Sequence, residues 1–152
     1  MSTETSDEAL RLDHQLCFPL YAAARRIVSL YTPYLKPLGL TYTQYLVLMV
    51  LWEEDHKTVG DLCRRLYLDS GTLTPLLKKM ESAGLVRRTR SEEDERVVTV
   101  TLTQAGADIK NQVRTLPQTV GGCLDLTPGE AMHLYSLLYR LLQGPSLYDK
   151  AE

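Results

Sequence analysis

The chain has 152 residues, of which 44% are hydrophobic and 24% charged, and a formal net charge of -2 at pH 7. Its length predicts one domain with its own apolar core. The longest apolar run, residues 45–52, is too short to span a bilayer, and the N-terminus has no signal-peptide pattern. We therefore expect a cytoplasmic protein without membrane contacts.

The three cysteines, Cys17, Cys63 and Cys123, are far apart in the sequence and have no histidine at zinc-ligand spacing. A structural metal site is therefore not expected, and no other cofactor is indicated.

The N-terminal part is predicted to be helical, because apolar residues recur at helical spacing through residues 10–30. Pro19 should start or kink a helix rather than lie inside one. We predict a short helix before Phe18 and a long helix from about Pro19 to Tyr34, with Pro33 and Pro37 closing this section.

Two capping signals predict the next helices. Thr41, with Gln44 three residues later, precedes a nearly all-apolar helix, which should lie in the middle of the domain. Residues 53–57 are interpreted as a polar link. Thr58, with Asp61 three residues later, then starts a short helix.

A second helix follows at once, and its start is marked by Asp69 and Ser70. Gly84 is predicted to end it as the residue after the cap. Its buried face has the spacing i, i+3, i+4, i+7, while the other side is small, hydrogen-bonding or basic. Over residues 64–90, seven basic residues oppose two acidic ones, which favours a phosphate-binding face. The buried face comprises Leu73, Leu76, Leu77 and Met80.

Two segments rich in β-branched and alternating residues, 85–90 and 96–102, flank an acidic, turn-prone segment at residues 91–95. This pattern predicts a β-hairpin. Helix, turn, helix and hairpin in this order predict a mainly α-helical protein with a small β-hairpin wing, that is, a winged helix-turn-helix. In this class the second helix enters the major groove of DNA.

The C-terminal part is predicted to contain two further helices. Thr103 caps a helix through about Thr115, and residues 117–122 are interpreted as a break. Thr127, followed by Pro128 and then Glu130, is a strong signal for a new helix start. This last helix carries more apolar surface than a small winged domain can cover.

The apolar terminal helices predict a homodimer. We assign residues 8–38 and 103–147 to dimerisation and residues 41–102 to the DNA-binding region of a single domain. A twofold dimer would present two recognition helices about 34–36 Å apart, so we expect a pseudo-palindromic operator in double-stranded DNA.

Cys17 lies beside the Pro19 break, and a bundle of the first helices could bring the hydroxyls of Tyr21, Tyr31 and Tyr42 to its sulfur. Phenolic donors favour a thiolate, which is the species that peroxides attack. A cysteine near a helix end is more often a small buried hydrophobe, and sequence spacing alone does not decide between these interpretations.

The sequence resembles the MarR family of dimeric winged-helix regulators and, within it, the OhrR organic-peroxide sensors. Residues 68–80 resemble the recognition helix of that subgroup, and residues 90–96 resemble its wing, including the Asp-x-Arg of MarR proteins. Residues 16–18 match the segment of the sensor cysteine. Tyr31 and Tyr42 lie at the family's spacing for the tyrosines that hydrogen-bond the sulfur, and Tyr21 matches another aromatic residue of the pocket.

The resemblance implies a repressor, not an enzyme, that is released from DNA when an organic hydroperoxide oxidises Cys17 to a sulfenic acid. Cys123 matches the place of the cysteine that, in two-cysteine members, attacks this sulfenic acid from the other subunit. Alternatively, a small cellular thiol caps Cys17 and Cys123 is incidental. Cys63 is interpreted as a packing or surface residue.

The predicted DNA contacts lie on the second helix and the wing. On the wing, the resemblance implies that Arg96 enters the minor groove and that Asp94 holds the wing tip, although an exposed salt bridge is the simpler alternative for Arg96. Ser70 has an equally good alternative role as a helix cap. The other predicted contacts are Thr72, Thr74, Lys79 and Arg88.

Two competing functions also fit the sequence. The protein could be a MarR-type repressor that is released by a small aromatic ligand while its cysteines are passive. It could also be a thiol peroxidase that uses Cys17 as its nucleophile.

Overall fold

The computed structural model describes residues 7–144, in which residues up to Val120 form one compact unit and residues from Gly121 a second. The first unit begins with a 3-10 turn, Leu12–His14, and continues with helix α1, Cys17–Leu35, and a second 3-10 turn, Lys36–Leu38. The remaining elements are α2 (Tyr42–Glu53), β1 (Lys57–Thr58), α3 (Val59–Leu66), α4 (Ser70–Ser82), β2 (Val86–Arg90), β3 (Val98–Leu102), α5 (Gln104–Gln112), α6 (Leu116–Gly121) and, in the second unit, α7 (Pro128–Leu142).

Helix α1 agrees with the predicted long helix, about Pro19 to Tyr34, to within two residues at each end. The helix begins two residues before Pro19, so this proline lies in the first turn, where its missing N–H is not needed. Pro33 lies inside the last turns of the helix, which ends at Leu35, and Pro37 follows in the 3-10 turn Lys36–Leu38 that closes this section. Because Pro33 has no N–H, it cannot donate the usual helical hydrogen bond to the carbonyl four residues before it.

Helix α2 is at the centre of the first unit, as predicted. Thr41 and Gln44 form the capping box, with the Gln44 side-chain oxygen accepting from the Thr41 N–H at 2.9 Å. Five residues of the helix are buried, and leucines and valines of α1, α3, α4 and the sheet complete the core around them. The buried residues of α2 are Tyr45, Val47, Leu48, Val50 and Leu51.

The sheet has three antiparallel strands in the order β1-β3-β2. Val100 of the central strand β3 is paired with Lys57 of β1 on one side and with Arg88 of β2 on the other. The hairpin was predicted and is confirmed. The strand β1 was missed, because two residues give no sequence pattern and only their pairing with β3 defines them. Asp55 supports this edge by accepting a hydrogen bond from the Leu102 N–H at 2.9 Å.

The prediction of a break at residues 117–122 was wrong. Helix α5 ends at Gln112, and α6 begins at Leu116 with Pro117 in its first turn. Leu116 and Val120 are buried, so tertiary packing stabilises a short helix that local sequence preferences did not predict.

The second unit contains α7, whose start is the predicted one. Thr127 and Glu130 form its capping box, and Pro128 is its first residue. No residue of α7 is buried, and the apolar side chains of Met132, Tyr135 and Leu141 are each more than half exposed. The prediction extended the dimerisation segment to residue 147, and its last three residues lie outside the described part.

Candidate functional site

Helix α4 is held at its start by Asp69 rather than by Ser70. The Asp69 carboxylate accepts from the Thr72 N–H at 2.8 Å and from the Thr72 hydroxyl at 2.9 Å. These two bonds, the backbone bond first, hold the pKa of Asp69 below its usual value. Ser70 is the first helical residue, so the alternative in which Ser70 caps the helix was wrong.

Helix α4 buries one face and exposes the other. Leu73, Leu77 and Met80 are fully buried against the core. The opposite face is open to solvent, and among residues 7–144 the ammonium groups of its lysines have no ion pair or hydrogen bond. The helix therefore presents hydroxyl and cationic groups outwards, from Ser70, Thr72, Lys78 and Lys79, with Thr74 half-buried beside them.

The wing tip is ordered by a network of short-range hydrogen bonds. The Ser91 hydroxyl accepts from the N–H groups of Glu93 and Asp94 at 3.2 and 3.3 Å. Asp94 accepts from the Arg96 N–H at 3.0 Å through its carboxylate. The Arg96 side chain is exposed, and its guanidinium has no ion pair or hydrogen bond with any described residue. The predicted salt-bridge alternative for Arg96 is therefore not found in residues 7–144.

Arg88 contacts Glu81 of α4, a partner that the sequence did not suggest. The Glu81 carboxylate accepts from both the Arg88 N–H and the Arg88 Nε, each at 2.9 Å. These bonds hold the pKa of Glu81 below its usual value. They fasten β2 to the end of α4, and they leave only the terminal NH₂ groups of Arg88 for an outside partner.

Cys17 is the first residue of α1, and its thiol is exposed and not in a disulfide. Tyr21 lies one turn further along the same face and is 62% exposed. The guanidinium carbon of Arg25, a further turn along, lies 5.5 Å from the centroid of the Tyr21 ring. Sequence reasoning did not single out Arg25, although its i+8 spacing from Cys17 placed it on the same face.

Tyr31 and Tyr42 are brought together at the other end of α1. Their ring centroids are 4.8 Å apart, and the Tyr45 ring lies 5.8 Å from that of Tyr31. Burial raises the pKa of Tyr31, Tyr42 and Tyr45, and the neighbouring phenols add to the rise for the last two. The phenols therefore stay protonated at neutral pH and remain hydrogen-bond donors. Tyr45 joins this cluster, whereas the sequence had placed it only in the core.

One protomer does not bring Tyr31 to its own Cys17. The two residues lie fourteen positions apart on the continuous helix α1. At a rise of about 1.5 Å per residue, that places them about 21 Å apart along the axis. The helices of a single chain therefore do not bring Tyr31 to Cys17, and a bundle that gathers them would need helices of two chains.

The other cysteines occupy different environments. Cys123 lies in the second unit, between α6 and α7, and is exposed. Cys63 is half-buried on α3, where burial and the nearby Asp69 carboxylate raise the pKa of its thiol.

Within the described part of the chain, no group of three or more side chains is arranged to hold a metal ion. Across residues 7–144, no helix is both long and apolar enough to cross a membrane.

Helices α3 and α4 are followed by the hairpin β2–β3, and α4 exposes hydroxyl and cationic groups. This arrangement defines a winged helix-turn-helix transcriptional regulator. A family model described as transcriptional regulator SarA/Rot matches residues 29–113. The organic hydroperoxide resistance transcriptional regulator of Bacillus subtilis is 46% identical over 140 residues, covering 92% of this chain and 95% of that protein.

Solved structures agree with these relatives. Reduced AbfR bound to DNA superposes with a TM-score of 0.74 at 38% identity, covering 91% of this chain and 96% of that one. Disulfide-formed AbfR gives a TM-score of 0.63 at 35% identity, with 93% and 100% covered, and AbfR is from Staphylococcus epidermidis. A mutant MarR from E. coli complexed with operator DNA gives 0.75 at 31% identity, with 84% and 93% covered. The chain belongs to the MarR family of transcriptional regulators and is similar to its organic hydroperoxide regulators.

Proposed function

We propose that the protein is a homodimeric repressor that leaves its operator when an organic hydroperoxide oxidises Cys17. The DNA-binding part is the winged unit, residues 41–102. Ser70, Thr72 and Thr74 would contact bases or phosphates in the major groove, and Lys79 a phosphate. On the wing, Arg96 would enter the minor groove above the tip that Asp94 orders, and the terminal groups of Arg88 would face a phosphate.

The dimer would form through residues 8–38 and 103–147. Support comes from the apolar side chains that each of these segments leaves exposed, since contiguous apolar surface of this kind marks a protein interface. Leu16, just before α1, is 75% exposed and Tyr21 of α1 is 62% exposed; in α7, Met132 is 65% and Leu141 59% exposed. A second copy is a partner that can cover each of these segments, because an isologous interface uses the same surface of both chains.

The observation that carries the sensing proposal is the distance of about 21 Å between Cys17 and Tyr31 along one helix. Donors that cannot reach the sulfur of their own chain can reach that of the partner. If α1 packs antiparallel to its copy across a twofold axis, Cys17 lies opposite the partner's Tyr31, and the arrangement repeats on the other side.

The sequence of α1 fits this packing. Cys17, Ala24 and Tyr31 are spaced by seven residues, so they lie on nearly one face of the helix. Ala24 is midway between the other two and would lie at the twofold axis. A small side chain at that position lets two helix backbones approach closely, as crossing helices require.

The chemistry is a two-electron oxidation of the thiol. The Cys17 thiolate attacks the terminal peroxide oxygen, an S–O bond forms as the O–O bond breaks, and the alkoxide takes a proton and leaves as an alcohol. Phenolic O–H groups of the partner's Tyr31 and Tyr42 would hydrogen-bond the thiolate. The Cys123 thiolate of the other subunit would then attack the sulfenic sulfur, forming a disulfide and releasing water. Capping by a small thiol is the alternative second step.

The test uses an operator selected from a random duplex pool with the reduced protein. Reduced wild type should bind it, and cumene hydroperoxide should release it. Cys17→Ser should bind equally well and stay bound, whereas Cys63→Ser should behave as wild type. Release of the Cys17→Ser variant by peroxide would show that the sensor is misassigned.

The second step is read from the same samples. Intact mass under non-reducing conditions should show a cross-linked dimer in the wild type and only monomer mass in Cys123→Ser. A Cys17 adduct with added small thiol, and no cross-link, would favour the capping alternative. Release by an aromatic ligand without oxidation, or sustained peroxide turnover with a thiol donor, would instead support the competing functions.

A further inference from the structure

Tyr67, in the turn between α3 and α4, has a left-handed backbone conformation, with φ of 54° and ψ of 41°. Helices commonly end on a glycine in this conformation, because it brings the Cβ of any other residue close to a carbonyl oxygen. A bulky aromatic residue at such a position strains the backbone, and residues held in this way cluster at functional sites. The turn is therefore a place to look for a function that requires a tyrosine.

The surroundings of Tyr67 fix its backbone and leave its side chain in solvent. The N–H groups of Tyr67 and Leu68 both bond the Cys63 carbonyl, the second at 3.0 Å. Leu66 and Leu68 pack against the core, whereas Tyr67 between them is 56% exposed. Within residues 7–144 its hydroxyl forms no hydrogen bond and its ring no ring contact. The packing of the described chain thus gives no reason for a phenol at this position.

The place of this turn in the fold points to DNA. In a helix-turn-helix the first helix crosses the DNA backbone, and the N-terminal residues of the second helix contact the bases. Tyr67 follows α3 directly and lies two residues before Asp69, the cap of α4. It is therefore at the point where the protein passes from the DNA backbone into the major groove. Tyrosine is one of the side chains that donate hydrogen bonds to phosphate oxygens.

We propose that the Tyr67 hydroxyl donates a hydrogen bond to one phosphodiester oxygen in each half-site of the operator, at the edge of the groove that α4 enters. The proposal rests on the proposed DNA-binding function and adds a contact outside α4 and the wing. The bonds to the Cys63 carbonyl hold the turn in place before DNA arrives, so little ordering is needed on binding. A phosphate contact carries no sequence information, and Tyr67 would position α4 rather than select bases.

The first measurement is the affinity of the reduced full-length protein for the selected operator, by fluorescence anisotropy at constant salt. Tyr67→Phe keeps the ring and removes the donor. Because the dimer loses one hydrogen bond in each half-site, its affinity should fall at least about tenfold. Tyr67→Gly should lose at least as much affinity, although glycine relieves the backbone strain.

Operators with a single neutral methylphosphonate in each half-site test the contact itself. At one pair of symmetry-related positions, this change should weaken binding of the wild type more than binding of Tyr67→Phe, because both changes remove the same bond. At the other positions the two proteins should lose affinity equally. A purely structural role of Tyr67 would weaken binding without coupling to any particular phosphate.

His56→Gly is the matched control for Tyr67→Gly. His56 also has a positive φ, of 61°, and its side chain is 74% exposed. It lies beside the end of β3 that is away from the wing tip, where Asp55 bonds Leu102. Its affinity for the operator should stay within about twofold of wild type.

Wild-type affinity of Tyr67→Phe, or a loss that is coupled to no phosphate, would overturn the proposal. A loss in Tyr67→Gly without a loss in Tyr67→Phe would overturn it as well, because the ring rather than the hydroxyl would then make the contact. If the random pool yields no duplex that the reduced wild type binds, the proposed function itself fails.

Discussion

Gly106 is the position where the fold tolerates no side chain, and Gly106→Ala tests how the wing is anchored. A Cβ at this position would lie 2.1 Å from the Leu85 carbonyl oxygen and 3.2 Å from Leu102 Cδ2. Ordinary contact therefore requires α5 to move by about 1 Å, in a core that packs at nearly crystal density. The Gly106 carbonyl also accepts a hydrogen bond from Trp52 Nε1 at 3.0 Å, which this shift would stretch.

Overpacking of a tight core costs about 1–3 kcal/mol, and the weakened Trp52 bond adds about 1 kcal/mol. We therefore expect Gly106→Ala to lower the unfolding free energy by about 2–4 kcal/mol, a fall in Tm of roughly 5–15 °C at this size. Trp52 is the single tryptophan of the chain, so its fluorescence during urea unfolding measures the change at the altered contact.

Gly129→Ala is the matched control, because a Cβ there meets nothing within 4 Å. Its unfolding free energy should stay within about 1 kcal/mol of wild type. Both proteins must be compared at one concentration, since dimerisation makes Tm concentration-dependent. Equal stability of Gly106→Ala and wild type would refute the reasoning, because it would mean that α5 and the start of β2 adjust without cost.

Three further predictions concern charge and assembly. Arg96→Ala should weaken operator binding by about 1–3 kcal/mol and lower the salt dependence, and an unchanged affinity in a salt-controlled titration would remove Arg96 from the interface. Because the pKa of Glu81 is lowered in the folded protein, its bonds to Arg88 stabilise the fold fully above the ordinary value of 4.5, and this stabilisation is lost as the pH falls through the folded pKa. Glu81→Gln should therefore make the unfolding free energy less dependent on pH in the acid range. Parallel pH profiles of wild type and variant would contradict this. Ala24→Glu should weaken the dimer at least about tenfold by sedimentation, because two buried like charges would meet at the twofold axis, whereas Ala22→Glu, on another face of α1, should not. Equal dissociation of both variants would remove Ala24 from the interface.

Local sequence patterns predicted the elements whose stabilising contacts are themselves local. Thr41 and Thr58 each form a hydrogen-bonded capping box with the residue three positions later, so four consecutive residues are enough to predict each helix start. Gly84 has φ of 72°, a conformation that favours glycine, and it ends α4 as predicted. The hairpin was predicted for the same reason, since its strands are neighbours in sequence.

Elements that depend on distant contacts were not predicted. Strand β1 exists because Lys57 and Thr58 pair with β3, some forty residues further along the chain. Helix α6 forms because Leu116 and Val120 are buried, against the preference of a proline-containing segment. The bond between Arg88 and Glu81 joins a strand to a helix, and neither residue type specifies the other.

The candidate thiol site was foreseen in its residues but not in its geometry. A resemblance gives the types and spacing of side chains, and Cys17 and Tyr31 have that spacing. Only the continuity of α1 shows that fourteen residues of helix separate them. A spacing of this kind predicts contact within a chain only if the chain turns back, and here it does not.

The same tyrosines lie at one end of a packed route to the DNA-binding unit. The ring centroids of Tyr31 and Tyr45 are 5.8 Å apart, and those of Tyr45 and Trp52 are 6.1 Å apart. The Trp52 Nε1 in turn donates a hydrogen bond to the carbonyl of Gly106 in α5. A close-packed core moves between discrete arrangements rather than deforming freely. If oxidation of Cys17 displaces the partner's Tyr31, that displacement would therefore be transmitted to the contact between α5 and the wing.

Complete release further requires a difference in DNA affinity between reduced and oxidised protein of several kcal/mol, about 10⁴-fold for a full population shift. A covalent cross-link through Cys123 could supply such a difference by fixing the spacing of the two readers, whereas a change in one hydrogen bond, at about 1 kcal/mol, could not.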